Sequence, residues 1–101
     1  MTAYETRLAA AMRQLETAYI EVANVKNSMT IDEFTAIVQR VAPERKWKIQ
    51  DHTEHPSPHY IARGSHDRTI AYYGGLWHGA GKRGIVVRDY ATAEQAWAAA
   101  N

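Results

Sequence analysis

Four short segments between Trp47 and Tyr90 are rich in aromatic and β-branched residues, and turn-forming residues separate them. The segments cover residues 47–50, 59–63, 69–73 and 85–90. Such residues favour β-strands, and most of the connections are too short for the helix that must join two parallel strands. The sequence therefore predicts a four-stranded antiparallel meander, in which each strand pairs with its neighbour along the chain.

Three threonines have the spacing of a capping box, in which a threonine is followed three positions later by a glutamate or glutamine. The pairs are Thr2 with Glu5, Thr30 with Glu33, and Thr92 with Gln95. Pro43 should end the second helix just after Val41. We therefore predict two N-terminal helices, the sheet, and a C-terminal helix packed on the sheet. This is an α+β fold, and the 101 residues fit a single domain that spans residues 1–101.

Apolar residues in the first predicted helix recur at alternating steps of four and three from Tyr4 to Val25. This spacing lays one apolar seam along a single long helix. The seam would pack on the second helix and the sheet of the same chain. The alternative is a homodimer in which the seams of two copies meet.

Alternation along the predicted strands assigns their side chains to two faces of the sheet. The residues expected to face the helices are Ile61, Ile70 or Tyr72, and Ile85 with Val87. Arg88 and Tyr90 would then lie on the opposite face. A register shift of one residue would invert this assignment.

The charges divide unevenly along the chain. Residues 1–44 hold four Lys or Arg against six Asp or Glu, whereas residues 45–90 hold eight against four, so a net charge of +1 conceals a basic half. The local field of that half would attract an acidic protein or a nucleic acid. The chain has no cysteine, which excludes disulfides and thiolate catalysis and suits a cytoplasmic protein. No run of eighteen apolar residues occurs, so we predict no membrane contact.

The histidines raise the question of a metal site. His52, His55 and His59 lie close in sequence, beside Asp51 and Glu54. Two prolines in this stretch force an extended backbone, which separates ligands that a metal must gather. We therefore expect loop histidines, no metal and no cofactor.

Two further stretches contain residue types that are common in catalytic motifs. Ser65, His66 and Asp67 are adjacent and so point apart, as expected for a hairpin turn and not for a catalytic triad. Residues 75–83 lack the glycine spacing, the Ser or Thr after Lys82 and the following helix of a phosphate-binding loop. We therefore predict that the protein is not an enzyme.

The glycine-rich stretch of residues 74–84 is predicted to form a flexible loop with an exposed tryptophan. Together with the basic and aromatic residues of the strands it supplies the candidate partner-binding residues. These are Trp77, His78, Lys82, Arg83, Arg88, Tyr90, Arg63 and Arg68. The alternative is that Trp77 caps the sheet core while the glycines form a long hairpin turn.

Residues 85–97, Ile-Val-Val-Arg-Asp-Tyr-Ala-Thr-Ala-Glu-Gln-Ala-Trp, run from a strand through a capping box into a helix. This ending resembles the arm-type DNA-binding domain of phage-type integrases, in which a sheet is backed by one helix. The helices predicted within residues 1–42 depart from that pattern, because they precede the sheet. The ending is also similar to those of small phage-encoded inhibitors such as anti-CRISPR proteins, which implies a non-enzymatic inhibitor.

These observations predict a binding protein, specifically a phage or mobile-element inhibitor that docks on a nucleic-acid-handling, CRISPR-Cas-like complex of its host. Its partner would be a host protein or ribonucleoprotein complex. The alternative is a module that binds nucleic acid directly through a basic aromatic face of the sheet. A third hypothesis is an enzyme or metal protein that uses the histidines.

Overall fold

The computed structural model describes residues 1–13, 18–43, 45–53, 58–65, 68–81 and 84–101. In these residues, four helices lie against one face of a five-stranded antiparallel sheet. The elements are α1 (Ala3–Met12), α2 (Ala18–Lys26), α3 (Ile31–Val41), β1 (Lys48–Asp51), β2 (His59–Arg63), β3 (Thr69–Tyr73), β4 (Leu76–Ala80), β5 (Val86–Tyr90) and α4 (Ala93–Ala100). The mixed helix and sheet class is confirmed.

All three predicted helix starts are found. The hydroxyls of Thr2 and Thr30 accept the backbone N–H groups of Glu5 and Glu33, whose carboxylates accept the threonine N–H groups in return. The hydroxyl of Thr92 accepts the N–H of Gln95. Each contact satisfies an amide that the first turn of a helix leaves without a partner.

The prediction of one long first helix is wrong, because α1 and α2 are separate helices. Tyr4 near the start of α1 and Lys26 at the end of α2 both contact the hydroxyl of Tyr72, so the two helices run in opposite directions. The apolar positions on both therefore face the same core. A heptad spacing also suits two helices that share one core, and periodicity alone does not locate the break between them. The described apolar positions of α1 and α2 therefore do not lie along one helix, and the homodimer stays a prediction.

The sheet has the predicted chain order, β1-β2-β3-β4-β5, but contains one strand more than predicted. Leu76–Ala80, assigned to a flexible loop from the sequence, is β4 and pairs with both β3 and β5. Gly74 and Gly75 have φ angles of 63° and 76° and form the two-residue turn between β3 and β4. This backbone is typical of tight hairpins, and glycine adopts it without steric cost.

The face of the sheet that the helices cover, here called the inner face, carries two cross-strand rows of side chains. These are Tyr60, Tyr72, Trp77 and Tyr90, and Ala62, Ile70, Gly79 and Val87. The helical side of the buried cluster comprises Phe34, Ile37 and Val38 of α3, Ala93 and Ala96 of α4, Tyr4 of α1, and Met29 just before α3. Helix α4 lies close to β4 because Gly79 has no side chain, and a Cβ there would lie 3.3 Å from the carbonyl oxygen of Ala96.

The predicted face assignment is right for some residues and wrong for others. Ile70, Tyr72 and Val87 point toward the helices, whereas Ile61 pairs with Ala71 and points away from them, and Ile85 is 47% exposed. Tyr90 is paired with Trp77 and packs against the core. A bulge explains Tyr90, because β5 has two residues, Arg88 and Asp89, between the pairs where β4 has only His78.

None of the described helices has the length and apolar character that a bilayer crossing requires.

Candidate functional site

The face of the sheet opposite the helices, here called the open face, contributes no side chain to the buried cluster of the described residues. Its cross-strand rows are His59, Tyr73 and Leu76; then Gln50, Ile61, Ala71 and His78; then Lys48, Arg63, Thr69, Ala80 and Val86. An antiparallel sheet commonly leaves one face to solvent, but that face is then usually polar. The open face instead mixes aromatic, apolar and cationic side chains, which is a composition suited to binding.

Four aromatic rings lie next to one another across the open face and are here called the ring row. The ring centroids of His52 and His59 are 5.5 Å apart, those of His59 and Tyr73 4.8 Å, and those of Tyr73 and His78 6.2 Å. Tyr73 is 59% exposed. The row therefore presents a set of π surfaces of which one large ring is open to a ligand.

A groove of about 410 Å³ lies at the end of the ring row, against β5. Its lining includes His59, Tyr73, Leu76, His78, Arg88 and Asp89. This volume lies within the range of small-ligand sites.

His78 connects the ring row to the bulge of β5. Its Nε2 lies 3.1 Å from the carbonyl oxygen of Tyr73, and its Nδ1 lies 3.2 Å from the backbone nitrogen of Asp89. Because the carbonyl only accepts and the amide only donates, the imidazole that satisfies both carries its proton on Nε2. Asp89 has a φ of 65°, in the left-handed region that aspartate and asparagine tolerate better than most residues. His78 thus links the backbone of Asp89 in β5 to the backbone of Tyr73 in β3.

The charges on the open face are mainly positive. Lys48 and Arg63 are directly opposite each other on β1 and β2, and both are exposed. Like charges directly opposite each other destabilise a sheet, so this pair does not favour folding. Arg63 donates from Nε to Gln50, and Arg88 is exposed at the groove.

Two exposed carboxylates lie in β1 and β5, and Asp51 is opposite Tyr60 of the inner face. Asp89 lines the groove, and Asp51 is exposed at the end of β1. The backbone N–H of Thr53 donates to Asp51 and holds the pKa of that carboxyl below its usual value. Asp51 therefore already has a partner of its own within the chain.

The structure brings only part of the predicted site together. His78, Arg63 and Arg88 lie on the open face. Lys82 and Arg83 lie outside the described residues. Arg68 lies beside α4, where it donates to the side chain of Asn101 and its guanidinium is 5.8 Å from the ring centre of Trp97.

Trp77 and Tyr90 are corrections to the predicted site. Trp77 is 3% exposed and stacks on Phe34 with ring centroids 5.6 Å apart, so the alternative in which it belongs to the sheet core is right. Tyr90 is next to it on the inner face. Trp77 is buried because it lies in the added strand β4, where its side chain points toward the helices and that of His78 points away from them.

Four residues of this candidate site were not predicted from the sequence, namely Tyr73, His59, Lys48 and Asp89. The signal that could have found Tyr73 is the Gly-Gly pair of residues 74–75 between two alternating segments, which is a two-residue hairpin signature. With that turn recognised, Tyr73 and His78 fall on the same face of adjacent strands.

Within the described part of the chain, no group of three His, Asp or Glu side chains is arranged to hold a metal ion. Two members of the histidine hypothesis, His55 and Glu54, lie outside that part. His52 and His59 have adjacent rings on the open face.

No protein-family model, curated protein or solved structure matches this chain. The resemblances to anti-CRISPR proteins and to integrase arm domains therefore stay predictions.

Proposed function

We propose that the open face binds single-stranded nucleic acid. Bases stack on the ring row, and Lys48, Arg63 and Arg88 pair with phosphates. The observation that carries this proposal is the ring row itself, which lies among cations on a sheet face that no described helix covers. Sheets that present aromatic side chains to unstacked bases are a recurrent means of binding single strands.

The geometry favours this alternative over docking on a host protein complex. The docking hypothesis depended on an exposed tryptophan as an anchor, and Trp77 is buried. The ring that is exposed, Tyr73, has imidazoles on both sides. Flat rings about 5 to 6 Å apart offer a π surface to each of several bases, which a single anchor in a protein interface does not require.

The like-charged pair of Lys48 and Arg63 supports the same proposal. Two cations that repel each other across strands gain a common partner when a phosphate lies between or above them. They lie at the opposite end of β2 from His59, so a bound strand would extend along β2 from the ring row to this pair.

The test is fluorescence anisotropy with labelled RNA and DNA strands of about ten nucleotides, which covers the site size of small sheet modules. With three phosphate contacts, affinity should fall by about twentyfold between roughly 50 mM and 200 mM salt. Tyr73→Ala should weaken binding by about tenfold, because stacking contributes roughly 1–3 kcal/mol per base. Its melting temperature should stay that of the wild type.

Two variants test whether binding depends on a cation at the groove or only on the overall positive charge of the protein. Arg88→Gln removes a cation from the groove, and Arg13→Gln removes one at the end of α1 away from Tyr72. Only Arg88→Gln should weaken binding and reduce the salt dependence. Equal effects would mean that the open face is not the site.

Three results would contradict the proposal. These are the absence of binding, binding that ignores salt, and a preference for duplex. If instead a protein is captured from host lysate after nuclease treatment and Tyr73→Ala abolishes that capture, the docking hypothesis is favoured.

A further inference from the structure

Asp89 is a carboxylate in a groove that faces an anionic partner in the proposed function. It lines the groove together with Tyr73, His78 and Arg88 and is exposed. A carboxylate repels phosphates, so it favours binding only where it meets hydrogen-bond donors. The donors that a nucleic acid offers are on the edges of its bases.

We propose that the groove selects guanine, whose Watson–Crick edge donates to Asp89 while its ring stacks on Tyr73. This inference rests on the proposed function of the open face. An ionised carboxylate has two oxygens that only accept. Guanine presents two adjacent donors on that edge, N1–H and the N2 amino group, and can satisfy both oxygens at once.

The other bases fit a carboxylate less well. Adenine and cytosine each place one amino donor beside a ring nitrogen that accepts, and uracil and thymine place one imino donor between two carbonyl oxygens. In each case one carboxylate oxygen would face an acceptor. Unstacked bases are read through these edges, so the difference becomes selectivity.

His78 links the backbones that carry the stacking ring and the carboxylate. His78 contacts the carbonyl oxygen of Tyr73 on one side and the backbone N–H of Asp89 on the other. The bulge then places Arg88 next to Asp89 at the same groove. Arg88 can pair with the phosphate beside the selected base, which offsets the repulsion from Asp89.

The experiment compares labelled oligouridines that differ in one central nucleotide, guanosine, adenosine or cytidine, with plain oligouridine. Wild-type protein should bind the guanosine strand about tenfold more tightly than the others, as one bidentate contact predicts. Asp89→Asn should reduce that preference to less than about twofold, because the amide replaces one acceptor with donors. Asparagine also accepts the left-handed backbone of residue 89, so the bulge is preserved.

Two further variants complete the design. Asp89→Gly keeps the left-handed backbone without any side chain and should also remove the preference. Asp51→Asn removes the exposed carboxylate at the end of β1 and should leave the preference intact.

The outcomes are distinguishable from those of the parent proposal. Equal binding of all four strands by the wild type overturns guanine selection but leaves nucleic-acid binding in place. A tenfold preference that survives in both Asp89 variants also overturns it. If none of the strands binds, the proposed function fails, and guanine selection fails with it.

Discussion

Tyr72 and Tyr73 are neighbours in β3, yet one is 0% and the other 59% exposed. Tyr72 belongs to the inner row with Tyr60 and Trp77, and Tyr73 belongs to the open row with His59. The two faces are similarly rich in aromatic residues, so aromatic content does not distinguish core from site. The difference is that α3 and α4 cover one face, and the tyrosine hydroxyls there donate to backbone carbonyls. Tyr60 donates to Met29 and Tyr72 to Lys26.

The largest expected difference in stability is between variants of Trp77 and Tyr73, the central rings of the inner face and the open face. Trp77→Ala should lower the free energy of unfolding by about 3–5 kcal/mol, because it opens a cavity beside Phe34 in the closed core. Tyr73→Ala should change it by less than about 0.5 kcal/mol, because that ring is mostly in solvent. Denaturant titration of both variants measures the difference. Similar losses for the two would mean that something covers the open face.

A smaller loss of stability is expected when the buried hydroxyl group of Tyr72 is removed. The hydroxyl of Tyr72 lies 3.0 Å from that of Tyr4 and donates to the carbonyl of Lys26, and burial raises the pKa of Tyr72 far above its usual value. Tyr72→Phe should cost about 1–3 kcal/mol, because the buried hydroxyl of Tyr4 and the partly buried carbonyl of Lys26 lose their partner.

Tyr73→Phe is the matched control, since it removes the same atom from the next residue on the open face. It should leave the denaturation midpoint unchanged. If Tyr72→Phe and Tyr73→Phe have the same denaturation midpoint, the buried hydroxyl network does not contribute to the stability of the inner face.

The stability of α3, one of the helices that cover the inner face, depends on the hydrogen bonds of its first turn. Thr30→Ala should lower the free energy of unfolding by about 1 kcal/mol, because the N–H of Glu33 loses its acceptor. Thr30→Ser keeps an acceptor and should retain most of the stability. The denaturant midpoint is the measurement, and a midpoint unchanged by Thr30→Ala would show that this cap contributes nothing.

The smallest expected change in stability is for the ion pairs between the helices that cover the inner face. Arg40 of α3 donates to Glu5 of α1 at 2.6 Å and to Glu94 of α4. The hydrogen bond from Arg40 holds the pKa of Glu5 below its usual value. A lowered folded-state pKa stabilises the protein above the unfolded-state value of about 4.3, and that stabilisation is lost as pH falls through the folded-state pKa.

Arg40→Met should therefore cost less than about 1 kcal/mol at neutral pH, since the pair is partly exposed. It should also reduce the loss of stability between about pH 5 and pH 3. Arg88 forms no ion pair among the described residues, so Arg88→Met serves as the open-face control and should leave the acid dependence unchanged. Equal pH profiles for the wild type and Arg40→Met would contradict the assignment.

The helix starts could be predicted because a capping box is a local contact within four residues. Thr2 and Thr30 form theirs whatever the helices pack against. The break between α1 and α2 could not be predicted in the same way. Tyr4 and Val25 keep the spacing of one seam, although they reach the core from two different helices.

The assignment of side chains to the two faces was harder to predict, because one missed turn or bulge reverses the direction of the side chains beside it. The turn at Gly74 and Gly75 adds a strand that carries Trp77 inward, and the bulge at Asp89 turns Tyr90 inward. A left-handed aspartate leaves no clear mark in a sequence, because aspartate is also common in ordinary turns. The open face therefore depends on register, which sequence patterns specify least well.

The meander has a consequence for the route by which the molecule folds. Every strand pairs with its neighbour along the chain, so the sheet can form by closing one short hairpin after another, each with a small loss of chain entropy. The contact between Arg40 and Glu94 joins residues 54 positions apart, and α3 and α4 must both arrive before the inner face is closed. Helices α1 to α3 precede the strands, so in a growing chain α4 is the last element to cover the inner face. We therefore expect the part of that face that α4 covers, around Gly79, to stay exposed and open to aggregation until α4 has been synthesised.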